Sequence, residues 1–344
     1  MQGLCACLIV GEKMTLKKIL PLFVFAWLIA AIDPARALDC GRTSNMAEYT
    51  VCTNPQLLWL DRLYNDAFHQ RMTEDPHHAA LLVAPQRQGS PWCTNTRCLR
   101  GAYLRQIGQL YGADRPFDWE GMWWNSTAPS GSSGNILISG YDGQQFHMDG
   151  NVKGGVNHSV FAGDVHRYSG VGFTDKINWG GDCAIILVPL ADGRLKVSSD
   201  SAGSCSLLLP GEMAIDGIYI KGQTDPRPPA TLLSIGIFTD RATDDKFRQL
   251  VGTDYQQYVD TATDFARGRD LDNIGATVMV LWVKGLANRK AAMIMTSPQG
   301  KIWALRLEPA DEGKGVKLHY VTTENDKKTL PKTLANWQAR FIDR

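Results

Sequence analysis

Cysteine placement constrains this chain most. Of the eight cysteines in 344 residues, six lie beyond residue 37 in two local sets, Cys40, Cys52, Cys93 and Cys98, then Cys183 and Cys205. Each bridge closes a loop and removes unfolded conformations, so an even number in two clusters says where the chain must double back. Neither set has the paired Cys-x-x-Cys spacings of a zinc site, and all six are expected to form disulfides in an oxidising compartment. A Cys183 to Cys205 bridge would close a loop of about twenty residues, worth roughly 3 kcal/mol in the chain-entropy model. The pairing within the first set stays open.

The first residues read as an address. Lys17 and Lys18 precede an apolar run over residues 19–32, too short for a comfortable membrane span, and Ala35-Arg36-Ala37 supplies small residues at positions minus three and minus one of a cleavage site. Residues 1–37 are therefore expected to be a signal peptide cleaved after Ala37, with Met14 a better start than Met1. The mature, periplasmic protein would begin at Leu38 with no stable membrane insertion. Asp39 in front of Cys40 argues against a lipid anchor. Lys+Arg and Asp+Glu number 36 and 35, a formal charge of +1, so no basic field exists to hold a phosphate backbone and nucleic acid is not an expected partner.

Three textures follow. Leu57, Leu60, Leu63, Tyr64 and Ala67 recur at helical spacing after a Thr53-Asn54-Pro55 start, and Leu99, Ala102, Tyr103, Ile107 and Leu110 mark a second helix. Residues 38–113 thus read as a small disulfide-stapled helical module. Over residues 117–222 the period shortens. Ile136-Leu137-Ile138, the apolar run over residues 184–188 and the run over 195–197 alternate with tight-turn signals at Asp142-Gly143 and Asp192-Gly193, which predicts a β-rich, barrel-like domain. Pro226, Pro228 and Pro229 make residues 222–230 a stiff linker. Residues 231–344 mix a helix over 244–260 with strands at 277–283, 290–296, 301–307 and 315–322, a turn at Ser297-Pro298-Gln299-Gly300 and a short helix around Trp337. The fold class is α+β multidomain, its C-terminal domain an α+β unit with an antiparallel sheet.

Two stretches resemble known families. Cys40, Glu48, Cys52, Asn54-Pro55, Leu57, Leu60-Asp61, Leu63-Tyr64, Gln86-Arg87, Trp92-Cys93, Cys98-Leu99, Ala102-Tyr103 and Arg105 are similar to the LprI-type lysozyme-inhibitor N-terminal module of bacteria, over residues 38–112. Phe247, Leu250-Val251, Val278, Val280 and the hairpin from Ala291-Ala292-Met293-Ile294-Met295 to Lys301-Ile302-Trp303-Ala304-Leu305 resemble the bacterial inhibitor of vertebrate lysozyme, over about residues 242–341. Between them, Trp119-Glu120-Gly121-Met122-Trp123 and Ile215-Asp216-Gly217-Ile218-Tyr219 loosely resemble the opening and closing motifs of calycin-like barrels. The first two resemblances imply one theme, protection of peptidoglycan from an enzyme. In the second family a cystine-closed loop plugs the lysozyme cleft. The matching stretch here, residues 283–289, offers Lys284, Asn288 and Arg289 without cysteine, histidine or acid.

Catalytic signatures are missing: the chain has no His-Glu-x-x-His, no Gly-x-Ser-x-Gly elbow and no phosphate-cradling glycine loop. With six cysteines assigned to bridges, no thiol nucleophile is expected. The seven histidines are scattered, and His77-His78, adjacent on a helix, would point about 100° apart. Asp270-x-Asp272-x-x-Gly275 opens like a calcium loop, but Ile274 and Leu281 stand where oxygen ligands are needed, so a plain loop is favoured. Trp123-Trp124 offers a sugar platform or, more simply, a barrel plug. No enzyme, metal or cofactor is expected. The expectation is a binding protein, an inhibitor or immunity protein whose partner is a cell-wall hydrolase or toxin effector, with Lys284, Asn288 and Arg289 as contact residues. A cell-wall enzyme with an unrecognised site and a peptidoglycan-binding scaffold are the alternatives.

Overall fold

The computed structural model of the protein describes residues 38–82, 92–154, 157–178, 182–206, 213, 215–310 and 315–342. The expected leader and Gln86-Arg87 lie outside them.

Asn54 turns the chain between helices α1 (Met46–Thr53) and α2 (Pro55–Glu74): its side chain accepts from the Leu57 amide at 3.0 Å, and Pro55 fills the first helical position, where no backbone donor is needed. Asp75 caps the short α3 (Pro76–Ala80), and Asn95 caps α4 (Thr96–Tyr111), which ends at Gly112 in the left-handed conformation, φ 58°. Cys40 bridges to Cys52 on α1, and Cys93 to Cys98 at the start of α4. Val51, Leu57, Leu60, Tyr64, Leu99 and Tyr103 fill the space between the helices.

The middle segment forms a closed antiparallel barrel of eight strands in sequence order: β1 (Gly121–Asn125), β2 (Ser132–Ser139), β3 (Gln145–Gly154), β4 (Asn157–Tyr168), β5 (Val171–Lys176), β6 (Asp182–Pro189), β7 (Leu195–Ser199) and β8 (Gly217–Lys221). β1 pairs with β8, with Trp123 opposite Lys221, and the Trp124 indole donates to the Gly222 carbonyl across that seam at 3.0 Å. Eight strands leave an interior just wide enough for side chains. Trp119, Trp123, Phe146, Phe161, Leu187 and Tyr219 are among those that fill it. Packing is tight enough that a Cβ on Gly150 would fall 2.0 Å from the ring of its cross-strand partner Phe161.

β5 and β6 are buried on both faces. Cys183, Ile185 and Leu187 point into the barrel, whereas Ala184, Ile186 and Val188, with Val171 and Phe173 of β5, belong to the core of the helices. This explains the unbroken apolar run of β6, unusual in an antiparallel sheet with a wet outer face. Helix α4 lies against the β4–β5 turn so closely that a Cβ on Gly108 would stand 2.7 Å from the Ser169 carbonyl oxygen, and Arg100 of α4 pairs with Asp175 of β5 at 2.5 Å. Cys183 bridges to Cys205 beyond β7.

The proline segment is tied to the barrel. Arg227 donates to the carbonyls of Ala128 at 2.9 Å and Ser132 at 3.0 Å and to the Asp225 carboxylate at 2.8 Å. Burial opposes the charge on Asp225, yet the hydrogen bonds it accepts from the Arg227 side chain and amide hold its carboxyl below the usual range. Beyond it stands a second antiparallel sheet, ordered β13-β12-β11-β10-β9, from β9 (Asp264–Arg267), β10 (Thr277–Trp282), β11 (Ala291–Thr296), β12 (Ile302–Pro309) and β13 (Val316–Thr322). One face packs on α5 (Leu232–Ile235), α6 (Arg241–Val251) and α7 (Tyr255–Thr261), around Phe238, Phe247 and Tyr258; the other packs on α8 (Lys332–Ile342) through Leu334 and Trp337. The single helix expected over residues 244–260 is two, because Gly252, at φ 56°, breaks it into α6 and α7 with a 3-10 turn, Gly252–Asp254, between. Asp244 is buried and accepts a hydrogen bond from the Tyr255 hydroxyl at 2.5 Å; burial and that bond push the Tyr255 hydroxyl up to about 12. Among the described residues no helix is long and apolar enough to cross a membrane.

Candidate functional site

The β10–β11 connection carries the three residues expected to contact a partner. Val283 and Lys290 close it, the Val283 amide donating to the Lys290 carbonyl at 3.0 Å. Inside, the Leu286 amide donates to Val283, and the Arg289 and Lys290 amides both donate to the Leu286 carbonyl at 2.9 and 2.8 Å. The Lys284 amide donates to the Thr263 hydroxyl at 3.0 Å, which fixes the loop base to the turn ahead of β9. Gly285, at φ 81°, makes the turn that a side chain would strain. The loop is therefore organised by its own backbone before any partner arrives, and little chain entropy is left to lose on binding.

Its side chains face two different concavities. Lys284 lines a cleft of about 290 Å³ between barrel and C-terminal sheet, with Ser130 and Ser132 on one wall and Thr263 and Phe265 on the other. Asn288 and Arg289 line a groove of about 420 Å³ with Val316, Arg340 and Phe341. Asn288 and Arg289 thus share one surface, and Lys284 opens on another. Leu286, 38% exposed, lies between them in the chain. Residues 283–290 contain three cations and no acid, and among the described residues no ion pair engages Lys284, Arg289 or Lys290. Arg340 and Phe265 were not foreseeable as neighbours: one lies about fifty residues after the loop, the other on β9, a strand of four residues without an apolar alternation.

The remaining candidates have structural duties. Trp123 lies inside the barrel, stacked on Phe117 at 5.5 Å, and its indole donates to the Trp119 carbonyl at 2.8 Å. It plugs the barrel end, and Trp124 is held at the seam. Asp270 accepts from the amides of Asp272, Ile274 and Ala276, which folds its loop around a carboxylate. Asp272 accepts from the Lys332 and Thr333 amides at 2.8 and 2.9 Å and from the Thr333 hydroxyl at 2.7 Å, so it fastens the start of α8. Burial opposes its charge, but the Thr333 and Lys332 bonds outweigh this and hold its carboxyl below the usual range. His77 and His78 are exposed on α3, and among the described residues no group of three His, Cys, Asp or Glu could hold a metal ion.

No family model, curated protein or solved structure matches the chain.

Proposed function

We propose that the protein is an exported binding protein that occludes a peptidoglycan-degrading enzyme, a lysozyme or an antibacterial effector, with the loop over residues 284–289 as its plug. The observation that carries this reading is the loop itself: preorganised, acid-free, and bearing Lys284 and Arg289 on either side of the exposed Leu286. Glycan-cleaving enzymes work with paired carboxylates at the floor of a cleft. A cationic projection steers toward such a cleft and pairs with those carboxylates, and a central apolar residue provides the water-excluded anchor that concentrates binding energy. The barrel interior, filled by aromatic and aliphatic side chains, fits a protein that presents surfaces to a partner.

The test is capture of cell-wall hydrolases by residues 38–344, followed by hydrolysis assays on what binds. Stoichiometric capture with loss of hydrolysis is the expected outcome. Replacing Lys284 and Arg289 together with alanine should weaken that capture at least tenfold, roughly the 1.4 kcal/mol of one well-placed charged contact. Unchanged affinity removes the loop from the interface. Cleavage or sedimentation of peptidoglycan by the protein alone overturns the reading.

A further inference from the structure

The groove beside the β10–β11 loop brings together two arginines. Arg289 comes to it from the loop and Arg340 from the last turn of α8, and no acid is among its described lining residues. Both side chains are exposed, and among the described residues neither makes an ion pair or a side-chain hydrogen bond. The carbonyl end of α8 favours a cation at Arg340. Arg289 has no such duty, so two guanidiniums share a groove of about 420 Å³ with nothing of opposite sign on its walls. An anion entering there is drawn by both, and guanidinium donors match the two oxygens of a carboxylate.

The rest of the groove is largely apolar and held in place. Phe341 packs edge-on against Trp337 with ring centroids 4.9 Å apart, and both Phe341 and Val316 border the core on the α8 face of the sheet. A Cβ built on Gly315 would meet nothing within 4 Å, so the groove is open at that end. Apolar walls with a few placed polar groups are the make-up of a binding site. A bare inorganic anion would answer the arginines and leave Val316 and Phe341 wet. The last residue of a polypeptide carries both features on one carbon: a carboxylate and, where that residue is apolar, a side chain that takes those walls out of water. Asn288, with donors and an acceptor, suits the peptide group that precedes such a residue, which a fatty acid lacks.

We propose that this groove binds the C-terminal end of a polypeptide with an apolar last residue, its carboxylate between Arg289 and Arg340 and its side chain against Val316 and Phe341. The site shares Arg289 with the plug but goes beyond it, needing neither Lys284 nor a hydrolase. The test is fluorescence anisotropy of labelled peptides, fluorescein-Gly-Ser-Ala followed by valine, leucine or phenylalanine, titrated with the protein whose three bridges are oxidised. At least one free acid should bind, and its C-terminal amide should bind about tenfold more weakly or worse. Arg289→Ala combined with Arg340→Ala should cost at least the same factor, while Arg97→Ala, which removes an exposed cation from α4, should leave the affinity unchanged. Failure of all three acids, equal binding of acid and amide, or an equal loss in the Arg97 variant overturns the proposal.

Two further comparisons need no substitution. The same peptide ending in glycine keeps the carboxylate and loses the side chain, so it should bind about fivefold more weakly or worse, and equal binding overturns the apolar part of the site. Inorganic phosphate and decanoate serve as competitors against the unlabelled acid. Each should need about tenfold more than the peptide to displace the probe, and displacement by either at a lower concentration overturns the peptide end as the ligand. Peptide binding without capture of a hydrolase supports this site and removes the plug; capture without peptide binding does the reverse.

Discussion

Glu308 illustrates how single residues in this protein carry opposing costs. Arg306, its side chain 4% exposed, lies over the Tyr258 ring at 5.6 Å and donates to Glu308 at 2.8 Å, with Asp254 at 3.4 Å; His319 meets the other Glu308 oxygen at 2.6 Å. The Arg306 hydrogen bond, against some desolvation and with help from His319, holds the Glu308 carboxyl below the usual range. A lowered folded value means that the unfolded chain binds the proton first. The stabilisation is therefore full above the unfolded carboxylate pKa of about 4.3 and is lost as pH falls through the folded value. Glu308→Gln should cost about 1–2 kcal/mol at neutral pH, because a buried guanidinium loses its nearest charge, and less near pH 3. Urea midpoints of both proteins across that range check it. A loss independent of pH would place the effect in packing. In sequence, nothing singled out Arg306 or Glu308, because the partners that give them meaning lie on a neighbouring strand and a distant helix.

At the scale of elements, Gly108 sets the distance between α4 and the barrel. Alanine within a helix gains about 1 kcal/mol over glycine in propensity, but here its methyl would stand 2.7 Å from a backbone carbonyl oxygen that has no rotamer to yield with. Overpacking of this kind costs about 1–3 kcal/mol, so Gly108→Ala should come out net destabilising, and a lowered thermal midpoint measures it. A raised midpoint would mean that the helix slides freely on the barrel. Helices α2 and α4 were legible because their signals are local: the apolar spacing along each and, for α2, the Asn54-Pro55 start. The apolar run of β6 was legible as a strand, and only its helical neighbours explain why it does not alternate. β3 and β4 were not read. Their inward positions include Gly150 and Gly154, which erase the alternation of Phe146, Met148 and Val152, and the space at Gly150 is taken by Phe161 from the partner strand. The loop over residues 284–289 could be found by its charges, but the separation of Lys284 from Asn288 and Arg289 into two concavities depends on strands and a helix far along the chain.

In the whole molecule, the helices and the barrel are one construction with two cores. Val171, Phe173, Ala184, Ile186 and Val188 have the helices as their cover, so residues 117–222 alone would expose a strip of two strands to water. Residues 38–222 should therefore give a monomer with a single cooperative melting transition, and residues 117–222 should aggregate or melt far lower; light scattering and calorimetry distinguish them. Equal behaviour would show that the strip needs no cover. The C-terminal sheet, with helices on both faces, has cores of its own. The shared core also sets an order in time. A chain is made from its N-terminus, yet helices α1 to α4 cannot bury their outer leucines until Val188 has emerged, and the barrel cannot close until Lys221 reaches Trp123. The two early disulfides, spanning 12 and 5 residues, need neither event. They can clasp the helical segment while it waits, holding it near its final shape until the strands that complete it reach the same oxidising compartment.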